Sequence, residues 1–482
     1  MFFRRSIQDS KTWANESLRN LNSGRCAGAY AAQFLLRDGE TGMQKQIDGD
    51  CNIREQFSAD YVRSLLPQDF FESSFQTEFR KIEQAVCQAP LQQLLTLEKL
   101  DQMLAAQSLV GQQVGAVVNG TVGPRHAART KAGILDCIGL RKQMVSGTSI
   151  RLDAIETYDP VIRQMCAALE TVFGCRSSAN VYVTPPDNKA FKPHFDLHDV
   201  LVLQCIGTKS WSFYPQYEDS IELPNFRNEF IPEKHKPIGT EKSEFTMSEG
   251  DLLYIPRGAM HDARCESDFS CHVTFALHTS TWMDYFEAAL SILNDDDVDF
   301  RRRAGPQPLS EMRAHETPNV IAELASRIGA LDPAIVERQM FDSIVSGRGT
   351  VCGGMVSSAL KKQVNPELSG IDYSVSLVAN ATMRLFQEEE KKWHLWSAEH
   401  STQISDTEAK LLKRLQAGEA LSSLSIRQSH GETTGDTFVK TLMMLGLINL
   451  AKTEHVPSAN NVVRGKVNMS PDRSQEQERQ TA

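Results

Sequence analysis

The run Val200-Leu201-Val202-Leu203-Gln204-Cys205-Ile206-Gly207-Thr208-Lys209-Ser210-Trp211-Ser212-Phe213-Tyr214 reads as two β-strands joined at a Gly-Thr step. β-Branched, leucine and aromatic residues dominate both halves, which suits a pleated, buried surface. Comparable short runs recur at Asn180 to Thr184, Asp251 to Ile255 and Cys271 to His278, with Gly, Pro and Asn/Asp between them. This rhythm over 179–277 predicts an all-β sandwich or barrel.

Outward from that core the pattern turns helical. Asp159 to Phe173 predicts a helix, with Asp159 as cap, Pro160 at the first helical position and Gly174 as terminator. Val161, Met165, Leu169 and Phe173 fall on one face. A second helix is expected over Leu94 to Leu104 with Thr96 able to cap it, and a strand-like run lies at Val114 to Val122. Beyond Trp282 helices dominate again. A Gly-rich stretch at 347–354 misses the phosphate-cradle spacing and follows no strand, so a loop is expected there. Helical runs at Glu408 to Leu415 and Thr434 to Gly446, a short helix between them and a strand-like Leu447 to Ala451 have the order of a winged-helix module.

The balance of 51 Lys+Arg against 61 Asp+Glu gives a net charge of −10, which argues against coating nucleic acid by bulk charge. No apolar run follows Arg5 as a secretory signal would require, and none approaches the ~20 residues of a membrane span. Ten cysteines without a CxxC pair, spread over 482 residues, fit reduced thiols and a cytoplasmic location.

The chemistry concentrates in Pro193-His194-Phe195-Asp196-Leu197-His198-Asp199. Side chains two apart on a strand share a face about 7 Å apart, so His194 and Asp196 can grip one ion. A surface strand with a solvated aspartate is the plainer alternative for this triplet taken alone. His198, ~13 Å from His194 along a strand, is not expected to join. A third ligand can come from Gly250-Asp251-Leu252-Leu253-Tyr254-Ile255-Pro256-Arg257-Gly258-Ala259-Met260-His261, where a turn, an apolar strand and a Pro-containing turn lead to His261 at a strand edge. Two histidines and a carboxylate leave three coordination positions open, the donor set of non-haem Fe(II) oxygenases; a structural zinc takes four protein ligands. 2-Oxoglutarate could fill two of the open positions. Lys209, on an otherwise apolar and aromatic strand, could meet its far carboxylate, which would offset the cost of burying a lone ammonium. The alternative is an outward-facing lysine paired to a surface acid.

Residues 179–280 resemble the catalytic core of the JmjC-type ribosomal oxygenases, cupin-fold protein hydroxylases. The resemblance is carried by Asn180-Val181-Tyr182-Val183-Thr184-Pro185-Pro186, His194-Phe195-Asp196 with His198-Asp199-Val200, Gln204, Gly207, Lys209, Trp211, Gly250-Asp251, Ile255-Pro256-Arg257-Gly258, His261 and His272-Val273-Thr274. It extends over about 57–455 and includes Leu65 to Phe75 and the Arg-Pro text of 301–306. It implies an α+β fold with a double-stranded β-helix (cupin/JmjC jelly roll) core in a helical surround. Five segments follow: an arm of uncertain order at 1–56, a catalytic domain at 57–281, a helical dimerisation domain at 282–373, a winged-helix-like domain at 374–456 and a polar tail at 457–482. By resemblance His194, Asp196 and His261 ligate Fe(II), Lys209 holds 2-oxoglutarate, and Asn180 and Tyr182 contact the substrate. O2 is the third reactant.

The resemblance thus implies an enzyme, a 2-oxoglutarate-dependent dioxygenase that hydroxylates a side chain of a protein or peptide, foremost a ribosomal protein, and works as a homodimer. Histidine-hydroxylating members resemble one another in a serine two residues past the His-Val-Thr threonine; here Ala276 stands there, so arginine or another target stays open. A hydroxylase of a biosynthetic, ribosomally made peptide is the alternative. A histone demethylase shares the site chemistry, but nothing resembles a histone-reading domain. A non-enzymatic cupin and winged-helix binding protein would be expected to lack a ligand, and all three are present. The helix expected at Thr434 to Gly446 carries one cation, Lys440, so sequence-specific DNA binding is not expected. Trp393 and Trp396 are expected to anchor this module to the helical segment before it.

Overall fold

The computed structural model describes most of residues 57–452; residues 1–56, 106–113, 302–316, 346–366, 453–482 and some short loop stretches lie outside the description. The N-terminal arm, the Gly-rich stretch, most of the Arg-Pro text and the polar tail therefore fall outside the described residues.

Two antiparallel sheets make the core. Its strands are β1 (Arg80–Ile82), β2 (Val114–Val118), β3 (Thr121–Val122), β4 (Ser149–Leu152), β5 (Arg176–Thr184), β6 (Asp199–Gly207), β7 (Lys209–Tyr214), β8 (Ser243–Met247), β9 (Leu252–Ile255), β10 (Met260–Arg264) and β11 (Ser270–His278). One sheet runs β1-β9-β6-β11-β5-β4-β2-β3 and the other β10-β7-β8. The continuous apolar run of β6 has a direct cause, because both of its faces are covered. Val200 and Val202 pack with Trp211, Phe213 and Met247 of the smaller sheet. Leu201 and Leu203 point the other way, into a cluster with Ile162, Met165 and Leu169. The alternation sorts one strand between an inner, inter-sheet layer and an outer, helix-covered layer.

Helix α1 (Ala59–Leu65), α2 (Leu97–Ala105) and α3 (Pro160–Phe173) belong to that outer layer. α3 is built as its sequence predicts. Asp159 accepts from the backbone N–H of Val161 (3.0 Å) and Ile162 (2.8 Å). Pro160 follows, and Gly174 closes the helix at φ +62. Thr96 accepts from the N–H of Lys99 at 3.1 Å, and Lys99 reaches back to Asp159 at 2.8 Å.

After β11 come α4 (Trp282–Asp296), α5 (Thr317–Gly329) and α6 (Pro333–Val345). The C-terminal part contains β12 (Tyr373–Leu377), β13 (Arg384–Glu389), β14 (Lys392–Ser397), β15 (His400–Ser405), α7 (Asp406–Gln416), β16 (Leu421–Ser422), α8 (Ser423–His430), α9 (Glu432–Met444) and β17 (Ile448–Lys452). The β13-β14-β15 meander has no counterpart among the expected elements, which name only its two tryptophans. Lys391, just before β14, has φ +68. The two tryptophans divide their work. Trp396 lies under Arg338 of α6 (5.1 Å) and so meets the helical segment, whereas Trp393 lies under Lys413 (4.0 Å) and donates to Asp406 (3.1 Å), holding α7 within its own module.

Candidate metal centre

His194 and Asp196 do not sit on a regular strand, contrary to the two-residue spacing argument. Pro193 cannot donate to a ladder, and only a single bridge, His194 to His261, forms here. The segment is instead stitched to the 256–261 turn. His194 N–H donates to the His261 carbonyl (2.9 Å), His261 N–H returns to the His194 carbonyl (2.8 Å), and Gly258 N–H donates to the Asp196 carbonyl (3.0 Å). This crossing brings the three side chains together more tightly than a flat strand would. One ligand atom from each of His194, Asp196 and His261 lies within 4.8 Å of the others. His261 Nε2 and Asp196 Oδ2 are 3.8 Å apart.

Both imidazoles are aimed by backbone carbonyls. His194 Nδ1 lies 2.9 Å from the Lys192 carbonyl and His261 Nδ1 lies 2.9 Å from the Ala259 carbonyl. A carbonyl only accepts, so each Nδ1 carries a proton, and Nε2 is the nitrogen left to face the neighbouring donors. Burial, reinforced by His194, pushes His261 down to about 4. Burial works to raise the Asp196 carboxyl, but His194 and His261 beside it hold it below the ordinary range. A neutral imidazole next to an ionised carboxylate is the protonation pattern a divalent cation requires. No fourth His, Cys, Asp or Glu joins the group among the described residues, so the donors fit an open-sided Fe(II) site better than a closed structural zinc.

These side chains open into a cavity between the two sheets with about 480 Å³ of empty space, its mouth included. Val202 and Thr274 line one wall; Trp211 and Ala263 line the other. Lys209 begins β7 and lies in this same cavity, 2% exposed. Its Nζ donates to Thr184 Oγ1 at 3.0 Å and sits 3.5 Å from His272 Nδ1. No carboxylate among the described residues pairs with it, and burial lowers it to about 8. A buried ammonium without a carboxylate partner is costly, and a bound anion would offset that cost.

Tyr182 also lines the cavity, stacked on His272 with ring centroids 5.0 Å apart. Burial raises it to about 12, although Arg151 beside it works the other way. Asn180 lies outside the cavity lining; its Oδ1 accepts from the Ala154 N–H at 3.1 Å. Its amide also meets the Tyr182 hydroxyl, so it reaches the cavity through that ring. His198 turns away from the metal group, and its ring packs 5.1 Å from His278. Ala276 is buried on β11 opposite Ser178 and Val200.

Thr184, His272 and Arg151 received no role in the sequence reading. The first two had a readable signal, because Thr184 stands two residues from Tyr182 on β5 and His272 two residues from Thr274 on β11, so each shares its neighbour's face. Arg151 had none, since its place opposite Tyr182 depends on the long-range pairing of β4 with β5.

Residues 154–285 match the family model of the JmjC domain. The chain is 35% identical over 168 residues to Ribosomal oxygenase 1 of Rattus norvegicus, covering 33% of this chain and 27% of that protein. It is 35% identical over 166 residues to the bifunctional lysine-specific demethylase and histidyl-hydroxylase NO66 of Dictyostelium discoideum, covering 33% of this chain and 32% of that protein. The chain thus matches about a third or less of the length of these curated relatives. Among solved structures, that of the Escherichia coli protein YcfD aligns over 80% of this chain and 98% of its own, at 13% identity and a TM-score of 0.49. The part of the two-sheet core within residues 154–285, around the His-Asp-His group, thus matches a JmjC domain. The relatives that share sequence with the chain over about a third of its length include proteins named as ribosomal oxygenases.

Proposed function

We propose that the protein is an Fe(II)- and 2-oxoglutarate-dependent oxygenase that hydroxylates an amino-acid side chain of a polypeptide, with a ribosomal protein as the first candidate. The observation that carries this reading is that the His194, Asp196 and His261 donors and the unpaired Lys209 ammonium line one cavity. Fe(II) with 2-oxoglutarate and O2 supplies, when bound, the oxidising power to turn C–H into C–OH, with succinate and carbon dioxide as the other products. His194, Asp196 and His261 hold the ion. Their second-nitrogen bonds to the Lys192 and Ala259 carbonyls keep both imidazoles in the ligating tautomer. Lys209, steadied by Thr184, takes the far carboxylate and thereby orients the cosubstrate. Val200, Val202 and Ile255 keep the cavity apolar and limit water around the reacting carbon. Tyr182, fixed by Arg151 and stacked on His272, forms the wall against which the target side chain is positioned.

Intact-mass analysis of ribosomal proteins incubated with enzyme, Fe(II) and 2-oxoglutarate tests this. A gain of one oxygen on one of them, located by fragmentation, is the expected result; succinate release with no such product would redirect the search to peptides. Ala276 favours that second reading to one extent only: it offers no hydroxyl to an imidazole target.

The helices after β11 serve as a dimerisation segment in this reading, since Trp282, Met283, Tyr285 and Phe286 are all exposed on α4. The C-terminal β12-α7-β16-α8-α9-β17 arrangement is read as a winged-helix-like module. Its last helix has Lys440 as its one cation, which favours packing or substrate docking over groove reading. No helix among the described residues is long and apolar enough to cross a membrane, and a cytoplasmic site of action accords with the ribosomal substrate proposed.

A further inference from the structure

β5 and β11 line more than the metal cavity. On β11 the face that carries His272 and Thr274 continues through Ala276 to His278; on β5 the face of Tyr182 continues through Ser178 to Arg176. His278 and Arg176 open into a second, larger cavity with about 1010 Å³ of empty space, roofed by α4 and α6. The metal loop links the two, since Asp196 faces the first cavity and Leu197 and His198 face the second.

The second cavity has a surplus of unspent positive character. Arg227 is neutralised by Glu287, and Arg257 by Asp199 at 3.5 Å. Asp284 is consumed by the capping box of α4. Arg176 makes no ion pair among the described residues, and the buried Nδ1 of His198 has no hydrogen-bond partner. Phe226, 69% exposed, lies 5.7 Å from the His278 ring and supplies an apolar lip.

Resting on the oxygenase reading above, we propose that this second cavity is a subsite for an acidic side chain of the polypeptide substrate. Thr274 and His278 are four residues apart on β11, roughly 13 Å at strand rise. An extended peptide covers that distance in about four residues. The acid therefore stands about three or four positions from the residue that enters the metal cavity. Arg176 meets its carboxylate, and the free nitrogen of His198 adds a polar contact.

The test uses two fluorescein-labelled peptides, one with a central His and one with a central Arg, each with Glu three and four positions to either side. Matched peptides carry Gln in place of Glu. Fluorescence anisotropy on the full chain, loaded with Fe(II) and 2-oxoglutarate without oxygen, gives the affinities. The Glu peptides are expected to bind roughly tenfold tighter than their Gln forms. Arg176→Glu should erase that preference, Arg176→Lys should keep part of it, and Lys in place of Glu in the peptide should restore binding to Arg176→Glu. Equal binding of the Glu and Gln peptides, or an Arg176→Glu variant of unchanged fold by circular dichroism that keeps the preference, overturns the subsite. Succinate release by the wild-type protein is measured separately. Its absence defeats the oxygenase reading, whereas the anisotropy result judges the acidic subsite.

Discussion

Replacing Lys209 by Met should separate stability from cosubstrate binding, and in opposite directions. In the ligand-free protein the ammonium is 2% exposed with a hydroxyl and an imidazole for company. Burial lowers it from 10.5 to about 8. At roughly 1.36 kcal/mol per pH unit, that drop of about 2.5 corresponds to about 3 kcal/mol lost from the ligand-free fold. The sign follows from proton counting. Between pH 8 and 10.5 the unfolded chain keeps a proton that the folded chain has released, so this group's contribution to stability improves as pH rises through that window. Below pH 8 the penalty is present in full. Lys209→Met, close in length and apolar, removes it. The variant is expected to be more stable than wild type by up to about 3 kcal/mol at pH 7, with the advantage fading toward pH 10.5. The same change leaves the far carboxylate of 2-oxoglutarate buried without its partner, a cost of about 2–5 kcal/mol, or roughly 30- to several thousand-fold in affinity. Urea titrations at pH 7 and 9.5, with and without 2-oxoglutarate and Co(II) as an inert ion, measure both. A variant that is less stable at pH 7 and still binds 2-oxoglutarate normally would refute the placement of this ammonium.

His194→Ala should abolish metal-dependent succinate release and weaken Co(II) binding by at least tenfold, read by titration calorimetry; normal turnover would remove His194 from the metal site. Asp199→Asn leaves the Arg257 guanidinium, its side chain only 9% exposed, opposite a neutral amide, so a loss of about 3 kcal/mol in stability is expected by chemical denaturation. A change within about 0.5 kcal/mol would mean the pair does not hold the loop. Ala276→Ser adds a hydroxyl two residues beyond Thr274 and should raise turnover of histidine peptides relative to arginine peptides; an unchanged ratio would disconnect this position from target choice. Trp282→Glu with Phe286→Glu should convert a dimer to a monomer by light scattering at micromolar concentration, and a monomeric wild type would contradict the role given to α4.

The core was legible because its physics is local. Alternation, turn residues and apolar runs located β5, β6, β7, β9 and β11 to within a few residues, and the Asp-Pro start and Gly stop defined α3. His194, Asp196 and His261 were legible as residue types with suggestive spacing. Their convergence was not, because it depends on a bridge between segments 67 residues apart in sequence (261 − 194) and on Pro193 breaking the strand that the spacing argument assumed. The same limit hid Arg151, which reaches Tyr182 only through strand pairing. The β13-β14-β15 meander was missed for a different reason. Its sequence runs through Glu388-Glu389-Glu390-Lys391-Lys392, and a charge run without clean alternation reads as a solvated loop.

Asp199 explains how a loop can hold two of the three candidate metal donors in place. It is fully buried at the start of β6, three residues past Asp196, and accepts from the Tyr254 hydroxyl (3.0 Å), the Arg257 N–H (3.2 Å) and the Thr279 hydroxyl (3.1 Å). Tyr254 stands on β9, Arg257 in the turn that carries Gly258, and Thr279 just past β11. One carboxylate therefore ties the end of the metal loop to the turn that delivers His261 and to the strand shared by both cavities. Donors that are to leave coordination positions open need such rigidity. Placing the knot at Asp199 keeps its hydrogen bonds away from the three donors.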